Sequence, residues 1–159
     1  MDNLIIFCAK YLIFIIGLVV LAVWARQKGK YRYKFVVTVV SAVTIALVLS
    51  KLAGLLYYHP RPFVTSGAQP LVSHTVDNGF PSDHTIVAMA LAMIIYFYSQ
   101  RLGIIAFILA TLVGIGRVAA HVHSPIDIVG GTALGLLAGC AGYWLVGRLL
   151  NKKSKLPVV

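Results

Sequence analysis

Three short clusters in this chain carry side chains suited to chemistry. They are His59-Pro60-Arg61-Pro62-Phe63, with Lys51 further back; Pro81-Ser82-Asp83-His84; and Arg117 with His123 and Asp127. Each lies at the edge of an apolar stretch, where ionisable side chains are costly and so point to function. Arg61 and Arg117 are planar donors that can grip phosphate through two parallel hydrogen bonds. Pro81-Ser82 reads as a helix start, with Ser82 as N-cap and the N–H groups behind it forming an anion site. His123 and Asp127 stand four residues apart, with Pro125 between them at a first helical position. That spacing lets the carboxylate fix the imidazole's tautomer and stabilise its cation. Two imidazoles, a carboxylate and two guanidinium groups converging on a helix N-terminus suit phosphoryl transfer. One imidazole attacks phosphorus and the other protonates the leaving oxygen.

These clusters need elements to position them, and the composition says which kind. Of 159 residues, 60% are hydrophobic and 11% charged, and the mean hydropathy is +0.91. A soluble domain is about 25% charged and about 45–50% apolar, so an ordinary soluble fold is excluded, as is disorder. Five stretches approach the roughly 20 apolar residues that a spanning helix needs: 4–25, 35–58, 82–98, 102–120 and 125–150. The expected fold class is all-α, an integral membrane helical bundle with about five transmembrane helices, forming one membrane-embedded domain over residues 1–159. The first stretch begins with Asp2 and carries its basic cluster behind it, unlike a cleaved signal peptide. It reads as a retained helix.

Net charge is +10. In a soluble protein that balance would suggest nucleic acid, but here the bases sit between apolar stretches and mark topology. One side collects Arg26, Lys28, Lys30, Arg32, Lys34, Arg101, Arg148, Lys152, Lys153 and Lys155, with no acid among them. The other receives Lys10, Lys51, Arg61 and Arg117 together with all four acids, Asp2, Asp77, Asp83 and Asp127. The positive-inside rule makes the first side cytoplasmic. The N-terminus, the long loop 59–81 and all three polar clusters then face outward, and the C-terminus faces the cytoplasm.

The clusters, in their order and spacing, resemble the signature of the type 2 phosphatidic-acid phosphatase superfamily: K-x6-R-P, then P-S-G-H, then S-R-x5-H-x3-D. The match runs through Arg61-Pro62, Pro81-Ser82-Asp83-His84 and Gly116-Arg117-x5-His123-x3-Asp127. The resemblance implies His123 as the nucleophile that forms a phosphohistidine, Asp127 as its orienting partner, and His84 as acid and then base. It implies that Arg61, Arg117, Ser82 and the backbone near Asp83 hold phosphate oxygens, and that neither metal nor cofactor is used. Three positions depart from the pattern. Gly54 stands where the family has Lys, and Lys51 lies about one turn earlier; Gly116 replaces Ser; Asp83 replaces Gly. Asp83 and the His59–Phe63 string resemble the branch that acts on undecaprenyl pyrophosphate.

The implied substrate is therefore a lipid phosphate or pyrophosphate, foremost undecaprenyl pyrophosphate, in a bacterial-type plasma membrane. Phosphatidylglycerol phosphate and phosphatidic acid are alternatives, as is a phosphate-lipid binding or transport protein without turnover. Expected partners are that substrate and membrane lipids, with no nucleic acid and no obligate protein partner. His59, His74 and His121 have no motif role and read as loop or interface residues. Gly131, Gly135 and Gly139 form a small-residue stripe that packs the last helix against a neighbour and turns Asp127 into the bundle. Cys8 and Cys140 lie on different helices and are not expected to pair.

Overall fold

The computed structural model describes residues 1–153, with side chains described up to residue 150. Lys155 of the basic tail lies outside the described residues, and Lys152 and Lys153 lie beyond the described side chains. Seven helices are described: α1 (Asp2–Lys10), α2 (Leu12–Arg26), α3 (Lys30–Leu56), α4 (Pro62–Ser66), α5 (Asp83–Tyr98), α6 (Gln100–Ala119) and α7 (Pro125–Lys153).

Four of the five expected stretches each form one helix, and the first is broken. Its two halves, α1 and α2, meet at Tyr11 with a bend of 45°. Hydropathy runs unbroken through this point, so nothing in the apolar pattern announces the bend. α3, α6 and α7 are each long and apolar enough to cross a bilayer, and the bent α1–α2 pair qualifies as one further span. α5 is shorter, at 16 residues. It begins late because Pro81 and Ser82 start it inside the bundle instead of at its surface; Ser82 is fully buried.

α5 is the central element. It packs against α2, α3, α6 and α7, and its Ile86, Ala88, Ala90, Ala92, Ile94 and Ile95 are completely buried. Small residues bring its neighbours close. A Cβ on Gly135 of α7 would stand 2.5 Å from the carbonyl of Ile86, and one on Gly131 would stand 3.1 Å from that of Ser82. The glycine stripe therefore joins α7 to α5, as its spacing suggested. Cys8 and Cys140 are both free.

The long loop is partly ordered by helix α4, which sequence reading did not foresee. Arg61 is its N-cap, Pro62 opens it, and Gly67 closes it at φ +70°, a backbone state that suits glycine. Further on, Leu71 N–H donates to the Ala120 carbonyl, and Val72 is buried against Ala9, Ala120 and Val122. The loop is thus drawn over the end of the bundle where α5 and α7 begin and α6 ends.

Candidate active site

At that end lies a cavity of about 420 Å³, whose lining includes Arg61, His84, Arg117 and His123. His123 sits in the turn between α6 and α7, 3% exposed. Its backbone N–H donates to the Arg117 carbonyl at 3.3 Å, so the end of α6 fixes where the turn begins. The turn needs a left-handed residue, which His121 supplies at φ +61°.

The protonation pattern of His123 follows from its partners. Nδ1 lies 2.9 Å from the Gly79 carbonyl, which can only accept, so Nδ1 carries the proton. Nε2 then presents its lone pair as an acceptor. Facing it are the Nη1 of Arg61 at 3.3 Å and the Nη2 of Arg117 at 3.4 Å. Burial lowers the pKa of His123, the neighbouring Asp127 carboxylate opposes that fall, and the positive charges of Arg117 and Arg61 add to it. Its resting form is neutral, with a nucleophilic nitrogen set between two guanidinium groups.

Asp127 stands beside this imidazole in a different relation from the one its spacing suggests. Its Oδ2 is 3.5 Å from His123 Nδ1, beyond the carbonyl that takes the hydrogen bond. The same Oδ2 accepts from the Ser124 N–H at 2.8 Å, and Oδ1 lies 3.0 Å from His59 Nδ1. His59, read from the sequence as a loop residue, is thus a direct partner of Asp127. Gly79 makes this geometry possible: a Cβ there would stand 3.0 Å from the His59 carbonyl and 3.2 Å from Asp127 Oδ2.

Arg61 is 5% exposed and held on several sides. Its Nη1 donates to the Val122 carbonyl at 2.8 Å and its Nη2 to the Asn78 carbonyl at 3.3 Å. Its Nε donates to the carboxylate of Asp77 in the loop. Burial works to raise the pKa of Asp77, yet hydrogen bonds from Arg61 and Thr75 prevail and hold it below the usual carboxylate range. Arg117 is 2% exposed; its Nη1 reaches the Ala9 carbonyl at 3.4 Å, and its Nε has no partner among the described residues.

The start of α5 differs in detail from expectation. Ser82 is the N-cap by position, but its side chain makes no capping bond and instead accepts from Thr85 Oγ1 at 3.1 Å. Neither Ser82 nor Asp127 lines the cavity; both form the layer behind it. The first N–H groups of α5 still lack partners within the helix, as in any helix start. Asp83 lines the cavity, and its carboxylate accepts from Ser50 on α3. Lys51 also reaches the cavity wall. Gly54, where the motif would have Lys, gives its carbonyl to Asn78 Nδ2 at 2.9 Å, and a Cβ there would stand 3.2 Å from the Phe80 carbonyl. A side chain at 54 would press on the loop that carries Gly79.

Four wall residues have no local sequence signal: Ser50, His74, Asp77 and Asn78. The ring of His74 lies 6.1 Å from that of His123, nearly perpendicular to it. Burial, followed by the charges of Arg61 and Arg117, pushes the pKa of His74 down. Asn78 anchors the loop: Oδ1 accepts from the N–H groups of His59 and Phe80, while Nδ2 donates to the carbonyls of Gly54 and Tyr57.

Comparison with known proteins bears on the family and the fold. Residues 35–150 match the model of the PAP2 superfamily. The chain is 31% identical over 150 residues to the bacitracin transport permease protein BcrC of Bacillus licheniformis, covering 94% of this chain and 73% of that protein. It is 30% identical to the undecaprenyl-diphosphatase BcrC of Bacillus subtilis, covering 87% and 72% respectively. Among solved structures it resembles LpxE of Aquifex aeolicus, with a TM-score of 0.68 at 22% identity over 88% of this chain and 81% of that one.

Proposed function

The chain belongs to the PAP2 superfamily and is a multi-pass membrane lipid phosphatase; on that premise we propose that it hydrolyses undecaprenyl pyrophosphate to the monophosphate at the outer face of the plasma membrane, through a phosphohistidine. The observation that carries this reading is His123, its proton held by the Gly79 carbonyl and its unprotonated Nε2 between Arg61 and Arg117. A site that only bound phosphate would need the two arginines but no nucleophile between them.

In the proposed reaction Arg61, Arg117 and the first N–H groups of α5 hold the equatorial oxygens of the terminal phosphoryl group. Nε2 of His123 attacks phosphorus, forming the P–N bond as the bridging P–O bond breaks. The charge growing on the oxygens meets donors already in place, which is where electrostatic stabilisation is strongest. His84 gives its proton to the departing lipid phosphate. It then takes one from the water that attacks the phosphohistidine, releasing inorganic phosphate. Asp127 steadies the imidazolium from behind, with His59 and Ser124 fixing its carboxylate.

The undecaprenyl substrate is supported by the Bacillus subtilis relative, named as acting on it, and by the His59–Phe63 string. The outward orientation is supported by the one-sided distribution of bases, since Arg26–Lys34 and Arg148 lie away from the cavity residues along the chain's spans. The Bacillus licheniformis relative is named as a permease, which favours a second reading as a lipid-phosphate carrier. Phosphate release from the purified protein in excess EDTA separates the two. Undecaprenyl pyrophosphate, phosphatidylglycerol phosphate and phosphatidic acid would be compared, with His123→Ala as control. Release that survives EDTA and disappears in the variant supports hydrolysis, and the preferred lipid identifies the substrate. A wild-type protein that binds these lipids without releasing phosphate supports the carrier.

A further inference from the structure

The loop over the cavity is anchored on either side of residues 73–77. Leu71 and Val72 are tied to Ala120 and its neighbours, and Asn78 is tied by four hydrogen bonds to the end of α3 and to Phe80. Residues 73–77 arch from one anchor to the other. From this arch Asp77 places its Oδ1 2.5 Å from the Nε of Arg61, along an edge of the guanidinium that a phosphate oxygen would otherwise use. The rest of that guanidinium is committed to the Val122 and Asn78 carbonyls and faces His123.

We propose that Asp77 is an internal competitor for phosphate at Arg61, displaced when the substrate's terminal phosphate arrives and returning as inorganic phosphate leaves. The inference rests on the reading of Arg61 as a phosphate ligand. Two features make displacement feasible. The Asp77 side chain is 51% exposed, so a small outward rotation returns its charge to water. His74 Nδ1 lies 3.9 Å from the same carboxylate oxygen, buried and without a hydrogen-bond partner among the described residues, and offers it a second place to bond. Thr75 Oγ1, at 3.0 Å from Asp77 Oδ2, holds the carboxylate in its present pose.

The consequence is a lowered affinity for every ligand of Arg61. That shortens the stay of any anion at Arg61, phosphodiester headgroups included, and it hastens release of the phosphate product. Displacement has a signature that distinguishes it from a fixed negative charge. Vacating Arg61 costs each ligand the same free energy, whatever the ligand's charge. A fixed carboxylate instead repels a dianion about twice as strongly as a monoanion at equal distance.

The test is calorimetric titration of the full chain in detergent with inorganic phosphate and with dimethyl phosphate, above neutral pH, where the first is largely dianionic and the second monoanionic. For Asp77→Ala, both affinities should rise about fivefold, the scale of a partly exposed ion pair, and by equal factors. Thr75→Val, which loosens the carboxylate without removing it, should shift both in the same direction by less. Should Asp77→Ala lose its helical circular dichroism, the Thr75→Val titrations decide the question by themselves. Affinities that move by less than about twofold in both variants overturn the proposal, as does a gain confined to inorganic phosphate. Arg61→Gln serves as the control for the premise. If wild type binds phosphate and Arg61→Gln does not, the premise stands whatever Asp77 does; if wild type binds neither ligand, premise and proposal fall together.

Discussion

Gly135→Ala should damage both stability and turnover, because α5 and α7 touch through backbone at this point. The added Cβ would stand 2.5 Å from the Ile86 carbonyl oxygen and 2.8 Å from Met89 Cβ, where ordinary contact begins near 3.4 Å. The shortfall of about 0.9 Å falls on backbone that cannot rotate aside, so the helices must separate. Overpacking of this kind costs about 1–3 kcal/mol, while replacing a helical Gly by Ala returns about 1 kcal/mol of helix propensity. The net loss is up to about 2 kcal/mol, or up to about 8 °C in midpoint for a chain of this size. Catalysis should suffer more. α5 carries His84 and its own N-terminal N–H groups, and α7 carries Asp127, so separating them misaligns groups that must meet one phosphate. A displacement of about 1 Å can cost about a hundredfold in rate, and a partial one should cost about tenfold. The assay pairs thermal unfolding in detergent with steady-state phosphate release. Gly17→Ala and Gly147→Ala are the controls, since nothing lies within 4 Å of a Cβ at either position; they should be neutral or stabilising. If Gly135→Ala behaves like these controls in both measurements, the close α5–α7 contact is not what positions the site.

Two further perturbations read other parts of the site. Asn78→Ala removes four hydrogen bonds that anchor the loop; at about 1 kcal/mol each, discounted for solvent, thermal unfolding should show a loss of about 2 kcal/mol. It should also lower kcat, since the carbonyl that takes the His123 proton belongs to the next residue. For pH dependence the sign is set by the depressed pKa of His123, lowered by burial against the pull of Asp127. His123 therefore stays neutral below the ordinary imidazole range, and if it is the proposed nucleophile the acid limb of kcat/KM should fall below that range too. Asp127→Asn removes an influence that raises this pKa, so the limb should move lower still while kcat drops. A limb that moves upward in that variant contradicts the assignment.

What the sequence revealed of this site depends on how local each signal is. Pro81–His84 and Arg117-x5-His123-x3-Asp127 are read from residues close in the chain, at the starts and ends of helices whose apolar periods are plain. Helix ends bring these residues to one face, so their convergence was legible. The partners that arrive through the loop were not. His59 reaches Asp127 across 68 positions and Arg61 reaches Asp77 across 16 without any repeating pattern between them. The Gly79 carbonyl is a backbone group, which no side-chain motif can report, and it took the His123 proton that spacing alone assigned to Asp127. Ser82 illustrates the same limit from the other direction. Its type and place mark a helix start correctly, but burial beside Thr85 redirects its hydroxyl away from the cap.

The two arginines explain why the site must be built this way. Each is nearly fully buried, and among the described residues Asp77 is the single carboxylate bonded to either. A buried charge without a counter-ion is costly. The fold offsets part of that cost with the carbonyls of Ala9, Asn78 and Val122, whose oxygens point at the guanidinium groups. It leaves the rest unmet, as the Arg117 Nε, without a partner among the described residues, shows. The unmet part is attraction for an anion, held in place before the anion arrives. Water must rearrange around a developing charge at the moment of reaction, whereas these donors need not. Burial lowers the pKa of His123, and the same positive field adds to that fall and helps keep its Nε2 unprotonated. One arrangement of buried charge thus favours a bound anion and, on the proposed mechanism, keeps the His123 nitrogen that would attack it unprotonated.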